Sequence, residues 1–323
     1  MIKRLIAFGT ALVMLFTFAA CGDKSDVETS TEAPSTTSYI REIKTTVAAV
    51  NDISGFGVSK LALDRDYAYS VTYYDDVQQV KELVRNGKTD IAAMSIVDAV
   101  ELIKEGADIK IIAVNNLIST YIITKGVEVK NPAGLKGKTI YSVKGDELTE
   151  KFVKETLKNN NVDYDSLDIR MFSDISELVS EIEGKDKYVL MLDSVNASLL
   201  PEDEGRVPTV DMTYGWLNQR ESLPVQGVVV ARTDFISSNP ELIDEFRMFN
   251  EVSVNFISGN AESGAVHLYS DGRLESADAA MAFISSYCSL TYVEKEKMQK
   301  VIGETIEILL DNAVSAADIA YIG

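Results

Sequence analysis

An α/β fold in two similar halves is predicted by three observations. Continuous and alternating apolar runs interleave with segments of helical periodicity from Lys44 onward. The helical segments open on Asp, Ser or Asn and several stop at Gly, as at Asp76 and Gly87 or at Asp174 and Gly184. The 323 residues, less an N-terminal leader, suit about two domains. Strands that alternate with helices of this length imply parallel sheets.

Lys44 to Val50 reads as a buried strand that ends in Asn51-Asp-Ile-Ser-Gly-Phe-Gly57, a loop of turn formers and a helix entry. Asp76 caps a helix with Val77, Val80, Leu83 and Val84 on one face. Asp90 to Met94 is a short strand, after which Ser95 caps a helix with Val97, Val100 and Ile103 inward before Gly106. Ile109 to Val114 and Thr120 to Thr124 are strands, with Asn115-Asn116 at their junction. The pattern then repeats. Lys138 to Val143 is a strand, and Lys144-Gly145-Asp146 turns into a helix carrying Leu148, Phe152, Val153 and Leu157 at helical spacing. Asp168 to Met171 is a strand. Asp174 with Glu177 caps a helix of Ile175, Leu178, Val179 and Ile182. Tyr188 to Leu192 and Val225 to Ala231 are further strands. Asn239-Pro240-Glu241 opens a helix with Leu242, Phe246, Phe249 and Phe256 inward. The tail from Ala277 to Ile322 is mostly helical.

Residues 1–20 have the form of a secretory leader: basic Lys3 and Arg4, an apolar run from Leu5 to Phe18, then Ala19-Ala20 before Cys21. The run of about fourteen residues is shorter than the roughly 20 a spanning helix needs. The arrangement resembles a bacterial lipobox, with Phe18 where such motifs usually carry Leu. That resemblance implies cleavage before Cys21 and acylation of its thiol, which holds the chain on the outer face of the cell membrane, as at a Gram-positive surface. Residues 21–42 have almost nothing apolar to bury and read as a disordered tether.

Hydrophobic residues at 46% and charged residues at 25% are ordinary for a globular body, but the formal charge is −19. Removing Lys3 and Arg4 with the leader takes it to −21, which disfavours nucleic acid as a partner. With Cys21 acylated, Cys288 has no partner for an intrachain disulfide and reads as a small buried hydrophobe. His267 is the single histidine and stands near no nucleophile motif, so no catalytic residue, metal site or cofactor is expected. Gly137-Lys138-Thr139 lacks the upstream Gly of a phosphate-binding loop, since Pro132 stands there. Asp163 to Asp168 lacks the Gly of a calcium loop.

Several segments in order resemble the type II periplasmic solute-binding proteins of ABC importers. Gly87-Lys-Thr-Asp90-Ile91-Ala92 is similar to the segment before the first-lobe ligand loop, and Asn131-Pro-Ala-Gly-Leu135-Lys136-Gly137-Lys138-Thr139-Ile140 to the one that opens the second lobe. Ala113 to Tyr121 resembles the crossover strand pair. Asp211-Met-Thr-Tyr-Gly-Trp216, Leu223-Pro224 and Phe235-Ile-Ser-Ser-Asn-Pro240-Glu241 resemble the nitrate, sulfonate, taurine and thiamine-precursor branch. The resemblance implies a two-lobed type II periplasmic-binding-protein fold hinged by two crossover segments, with lobe I at 43–124 and 225–323 and lobe II at 125–224. It implies a monomer that captures a small polar solute, an anion such as a sulfonate or a heteroaromatic amine, and delivers it to an ABC permease and ATPase complex. A lipid-anchored sensor or adhesin and a pyrimidine-synthesising enzyme of the same fold are the alternatives.

In such a fold the loops after strands and the helix N-termini converge on the crevice. That singles out Asn51, Asp52, Ser54 and Gly55, then Met94 and Ser95, Asn115, then Lys144, Gly145 and Asp146, and Asp193 with Ser194 as ligand contacts. Tyr214 and Trp216 would add an aromatic wall. Lys144 suits an anionic head group, and Asp52 or Asp193 an amine. Each has a plainer reading: Asp52, Ser54 and Asp146 as helix caps, Lys144 as a solvated charge, Asn115-Asn116 as a turn, Trp216 as core. Lys144-Gly145-Asp146-Glu147 and Asp193-Ser194 also depart from the glycine-rich loop and the Glu-Pro pair of the family, so the fold transfers better than the ligand.

Overall fold

The computed structural model describes residues 45–63, 69–217 and 220–323, and the expected leader, acylated Cys21 and tether lie outside the described residues. The chain first lays down β1 (Thr45–Val50), α1 (Ile53–Phe56), α2 (Ser59–Leu63), β2 (Tyr69–Tyr74), α3 (Val77–Arg85), β3 (Ile91–Ser95), α4 (Ile96–Lys104) and β4 (Ile109–Leu117). It crosses to β5 (Thr120–Lys125), β6 (Thr139–Val143), α5 (Glu147–Asn159), β7 (Asp168–Phe172), α6 (Ile175–Ile182), β8 (Tyr188–Asp193), α7 (Ser194–Ser198), β9 (Arg206–Asp211) and α8 (Met212–Leu217). It returns through β10 (Val225–Arg232), α9 (Thr233–Ser238), α10 (Pro240–Gly259), α11 (Ala261–Ser270) and α12 (Ala277–Ala282). A π-helical turn (Phe283–Tyr287), β11 (Leu290–Val293), α13 (Lys295–Leu309) and α14 (Ala316–Ile319) complete it.

Two mixed sheets result, ordered β11-β4-β10-β3-β1-β2 and β7-β6-β8-β5-β9. Each has a parallel trio, β2-β1-β3 or β7-β6-β8, followed by one strand that runs antiparallel to its neighbours. The odd strands are β10 and β5, the strands that follow the two crossings. Both are antiparallel to the strands on either side, so the parallel sheets expected from the alternation are corrected to mixed ones. The strand Thr120–Lys125 belongs to the second sheet, paired with β8 and β9, so the first crossing lies at Ile118–Ser119 and not after Thr124.

Capping follows the sequence closely. Asp76 accepts from Gln78 N, Ser95 from Asp98 N, Asp146 from Thr149 N and Asp174 from Glu177 N, each satisfying a backbone donor that the helix leaves open. Such caps are each worth about 1 kcal/mol. Glu177 also reaches back, accepting from Ser173 N, one residue before the cap, at 2.9 Å. Behind α5, Leu148, Phe152, Val153 and Leu157 are all buried.

Other expectations change. Asn115 and Asn116 are not a junction turn but lie inside β4, fully buried, beside a register shift against β10. A bulge of this kind turns two successive side chains toward one face. Phe256 is 37% exposed, under the Lys60 ammonium and edge-on to His267, where burial lowers the pKa of the imidazole. The C-terminal tail contributes the edge strand β11 as well as helices.

Trp216 is a core residue, 1% exposed, so the aromatic wall expected of it is not there. The six-residue α8 lies against α5 closely enough that a Cβ on Gly215 would meet Thr156 at 3.0 Å. The indole therefore packs on Phe152 with ring centroids 5.3 Å apart and donates to Ser222 O at 2.9 Å. Trp216→Ala is expected to lose about 3–5 kcal/mol of stability, as read from urea unfolding midpoints, because it deletes a buried aromatic and orphans a carbonyl.

Candidate functional site

The crossings set the site. Ile118 N donates to Pro224 O at 2.9 Å, so the outgoing and returning segments lie side by side. Directly flanking them are the ends of β4 and β10 in the first sheet and the start of β5 in the second. Gln226 of β10 donates to Asp146, the cap of α5, at 3.5 Å, joining the first sheet to the second across the crevice.

On the first-sheet side, Asp52 accepts from Ser54 N at 2.8 Å and from the Ser54 hydroxyl, which winds the chain into α1. Gly55 is obligatory there, since a Cβ would stand 2.1 Å from Val50 O. Asn115 Nδ2 donates to Ser54 O at 2.6 Å and pins α1 to β4. Gly227 completes this cluster. A Cβ on it would lie 1.9 Å from Asn116 Oδ1, 2.5 Å from Asn115 Oδ1 and 2.9 Å from Ser54 Cα. Ser95 opposes Gly227 in the pairing of β3 with β10, and its hydroxyl donates to Asp98, whose charge is met from behind by Lys81 Nζ at 2.9 Å. Met94, in contrast, is fully buried in the core between sheet and helices and makes no contact with the crevice.

Asn51 is held by a group that sequence reasoning missed. Arg273, in the loop after α11, lies 3.6 Å over the Tyr73 ring, donates to Asn51 Oδ1 and pairs with Asp271 at 3.1 Å. Tyr73 in turn donates to Gly55 O at 3.4 Å. The cluster ties the loop after β1 to a segment some two hundred residues away in sequence, a separation no local pattern reveals.

On the second-sheet side a cavity of ≈ 80 Å³ is lined by Lys144 and Gly145 after β6, Asp193 at the end of β8 and Thr120 at the start of β5. Thr149, Glu150, Tyr164 and Ser142 add polar groups, and Val143, Val153, Met171 and Met191 make the apolar wall. Thr120 stands opposite Asp193 in the β5–β8 register. Asp193 caps α7 through Asn196 N at 2.9 Å and accepts from the Asn196 amide at 2.6 Å. Asp146 caps α5 through Thr149 N at 2.7 Å.

The structure thus gathers Lys144, Gly145 and Asp193 on one cavity and Asp52, Ser54, Gly55 and Asn115 in one cluster, with Asp146 joined to Gln226. Ser194 is buried as the first residue of α7, and Tyr214 is 71% exposed on α8; neither lines the cavity. Sequence reasoning singled out neither Thr120 nor Gln226 for the site and read Asn116 only as part of a turn. The one signal for the floor was Gly227 in the middle of an apolar strand, which marks a close approach.

Burial raises the Asp271 carboxyl to about 6, against the pull of Arg273. An acid whose folded pKa is raised favours the fold below its unfolded value of 3.8, and that contribution is lost as pH rises through about 6. Melting temperatures of the protein and of Asp271→Asn, compared at pH 4 and pH 7, should therefore show the parent relatively better off at the lower pH.

Comparison with known proteins bears on the whole assembly. Among solved structures, an ABC transporter protein from Parabacteroides distasonis superposes with a TM-score of 0.64 at 14% identity, over 87% of this chain and 97% of that one. The periplasmic aliphatic sulphonate binding protein SsuA from Escherichia coli gives 0.64 at 12%, over 86% and 97%. SsuA from Xanthomonas axonopodis pv. citri, bound to MOPS, gives 0.58 at 11%, over 86% and 97%. These likenesses identify the type II periplasmic-binding-protein fold. No curated protein sequence matches the chain. Among the described residues no helix is long and apolar enough to cross a membrane. The profile described as NMT1/THI5 like matches residues 70–263, more than half of the chain, and the protein belongs to that family.

Proposed function

We propose that this protein is the solute-binding component of an ABC importer, held at the outer face of the membrane through lipidated Cys21 and doing no covalent chemistry. Its lobes would be 45–117 with 225–323, and 120–217, and a small polar solute would be gripped between them. The observation that carries the reading is the pair of hydrogen-bonded crossings, flanked on both sides by polar strand ends that meet through Gln226 and Asp146. Two bodies joined through adjacent short segments rotate about them as a hinge once the contacts between them, as of Tyr121 with Tyr287 and Lys151 with Asp311, give way. A solute that touches both bodies in one arrangement only stabilises that arrangement by its differential affinity, and a permease reads the spacing of the lobes. The likeness to sulfonate-binding proteins and to ABC import components supports this role.

A pool of small polar metabolites is expected to raise the melting temperature of the purified protein, since a ligand at a hundred times its Kd adds about 2.7 kcal/mol by mass action. X-ray scattering with the stabilising fraction should show a smaller radius of gyration. Melting and scattering curves that ignore every fraction would overturn the reading.

A further inference from the structure

We infer that Tyr287, which does not line the cavity, is a latch between the lobes: its ring, seated in the second lobe, sets how much of the solute-free protein is closed and so how tightly a solute is held. The inference rests on the binding reading above.

The π-helical turn Phe283–Tyr287 faces both lobes. Phe283 and Ile284 enter the core of the first, where the Phe283 ring stands 5.8 Å from that of Phe56 in α1. Tyr287 leaves that core. It is 8% exposed and, among the described residues, is the one first-lobe side chain in an apolar cluster otherwise drawn from the second lobe, Tyr121, Leu192, Ala197 and Leu200 included. Its ring meets Tyr121 edge-on, with centroids 5.0 Å apart. The exchange is reciprocal, since Val195 of α7 packs against the first-lobe cluster that holds Phe56 and Phe283. Turns of the π type are rare and concentrate at functional positions.

Other contacts between the lobes are of a weaker kind. Lys151 reaches Asp311 at 3.3 Å with both side chains in water, and it shares its ammonium with Glu147, also at 3.3 Å. An exposed ion pair contributes little, because water already solvates both charges. Beside it the lobes leave a cleft of ≈ 220 Å³ among Val100, Leu148 and Leu310, so apolar surface there stays unpacked. Gln226 to Asp146 is an exposed hydrogen bond of 3.5 Å. Burial of the Tyr287 and Tyr121 rings is instead lost whenever the lobes part. The rings therefore dominate what holds the closed arrangement.

The latch stands behind both crevice walls. Phe56 belongs to α1, the helix that Asp52 caps, and Val195 to α7, the helix that Asp193 caps. A solute bridging those walls and a ring seated behind them favour the same arrangement. A solute that needs the closed form binds with its intrinsic affinity reduced by the fraction of molecules already closed, a fraction that Tyr287 raises. Tyr287 is thus a positioning residue that acts on binding through the lobes.

The test is X-ray scattering on the purified protein, dialysed free of small molecules. Tyr287→Ala and Val195→Ala are expected to have a larger radius of gyration than the parent. Tyr287→Phe, which keeps the ring, and Lys151→Ala should match the parent. Circular dichroism and a cooperative melt separate opening from unfolding, and Val195→Ala, at a half-buried position, carries the test if Tyr287→Ala does not fold. Tyr287→Ala should also need about tenfold more of the stabilising metabolite fraction for half-maximal contraction. Radii equal to the parent's in the alanine variants that fold would overturn the inference and leave the binding reading intact. Expansion by Lys151→Ala as large as theirs would also overturn it. Failure of every metabolite fraction on the parent would remove the binding reading, while the solute-free radii would still decide whether Tyr287 holds the lobes together.

Discussion

The hydrogen bond from Ile118 N to Pro224 O is the constraint on which the architecture turns. It lies between the two passages of the chain from one sheet to the other, and hydrogen bonds on either side extend it: Leu117 N to Ser289 O at 3.1 Å and Val225 N to the Thr305 hydroxyl at 3.0 Å. Two passages fixed side by side tie the halves along a common line, and Tyr121 against Tyr287 and Lys151 with Asp311 add contacts between them. The same constraint explains the sheets. Each passage delivers a strand running against the parallel trio it joins, so β5 and β10 occupy equivalent places in the two halves. It also explains where polar side chains collect. Asn116, Thr120 and Gln226 all lie within three residues of a passage; the first two have buried polar atoms without partners, and Gln226 bonds across the crevice.

Charge is arranged around that line with one sign dominant. Asp52, Asp146 and Asp193 are held by N–H and O–H groups of their own helices, and Lys81 balances Asp98 from the side away from the crevice. Burial pulls the Lys81 pKa down, but hydrogen bonds to Glu101 and Asp98 outweigh it and leave it raised, so the ammonium stays charged. Arg273 is spent on Asp271, Asn51 and the face of Tyr73. A cation engaged so fully positions the loop after β1 and is poorly placed to attract a solute anion as well. The carboxylates at the helix starts therefore serve the fold as caps and, by the same bonds, set the electrostatics of the crevice.

Caps and helix faces were legible because they are local. Asp76, Ser95, Asp146 and Asp174 each stand within three residues of the donor they satisfy, and the faces of α3, α4 and α5 repeat at helical spacing. Features decided across the fold were not. β9 contains Pro208, which argues against a strand until the strand is seen at the edge of its sheet, where a missing donor costs little. β2 does carry an apolar face, Tyr69, Val71 and Tyr73, which packs into the core, and that alternation went unread. The tightness of α5 against Gly215 decides that Trp216 points inward, and the bulge against β10 decides that Asn115 and Asn116 share a face. Neither depends on the local sequence alone. The lobe boundary was misread for a related reason, since Thr120 to Thr124 forms an equally good strand for either sheet.

Conservation of backbone without conservation of the crevice is what this division of labour predicts. Structures at 12 and 14% identity superpose on this chain with a TM-score of 0.64, so passages, strand order and helix placement survive replacement of most side chains. Those features depend on apolar burial and on backbone bonds that many residues can supply. The crevice depends instead on a few strand ends, where Thr120, Asn115 and Asn116 leave buried hydrogen-bonding atoms unpaired at a cost of about 1–3 kcal/mol each. Apolar replacements of similar shape would remove that cost without disturbing β4 or β5. Under the binding role proposed above, a solute would be what keeps those polar groups at the passages despite the cost.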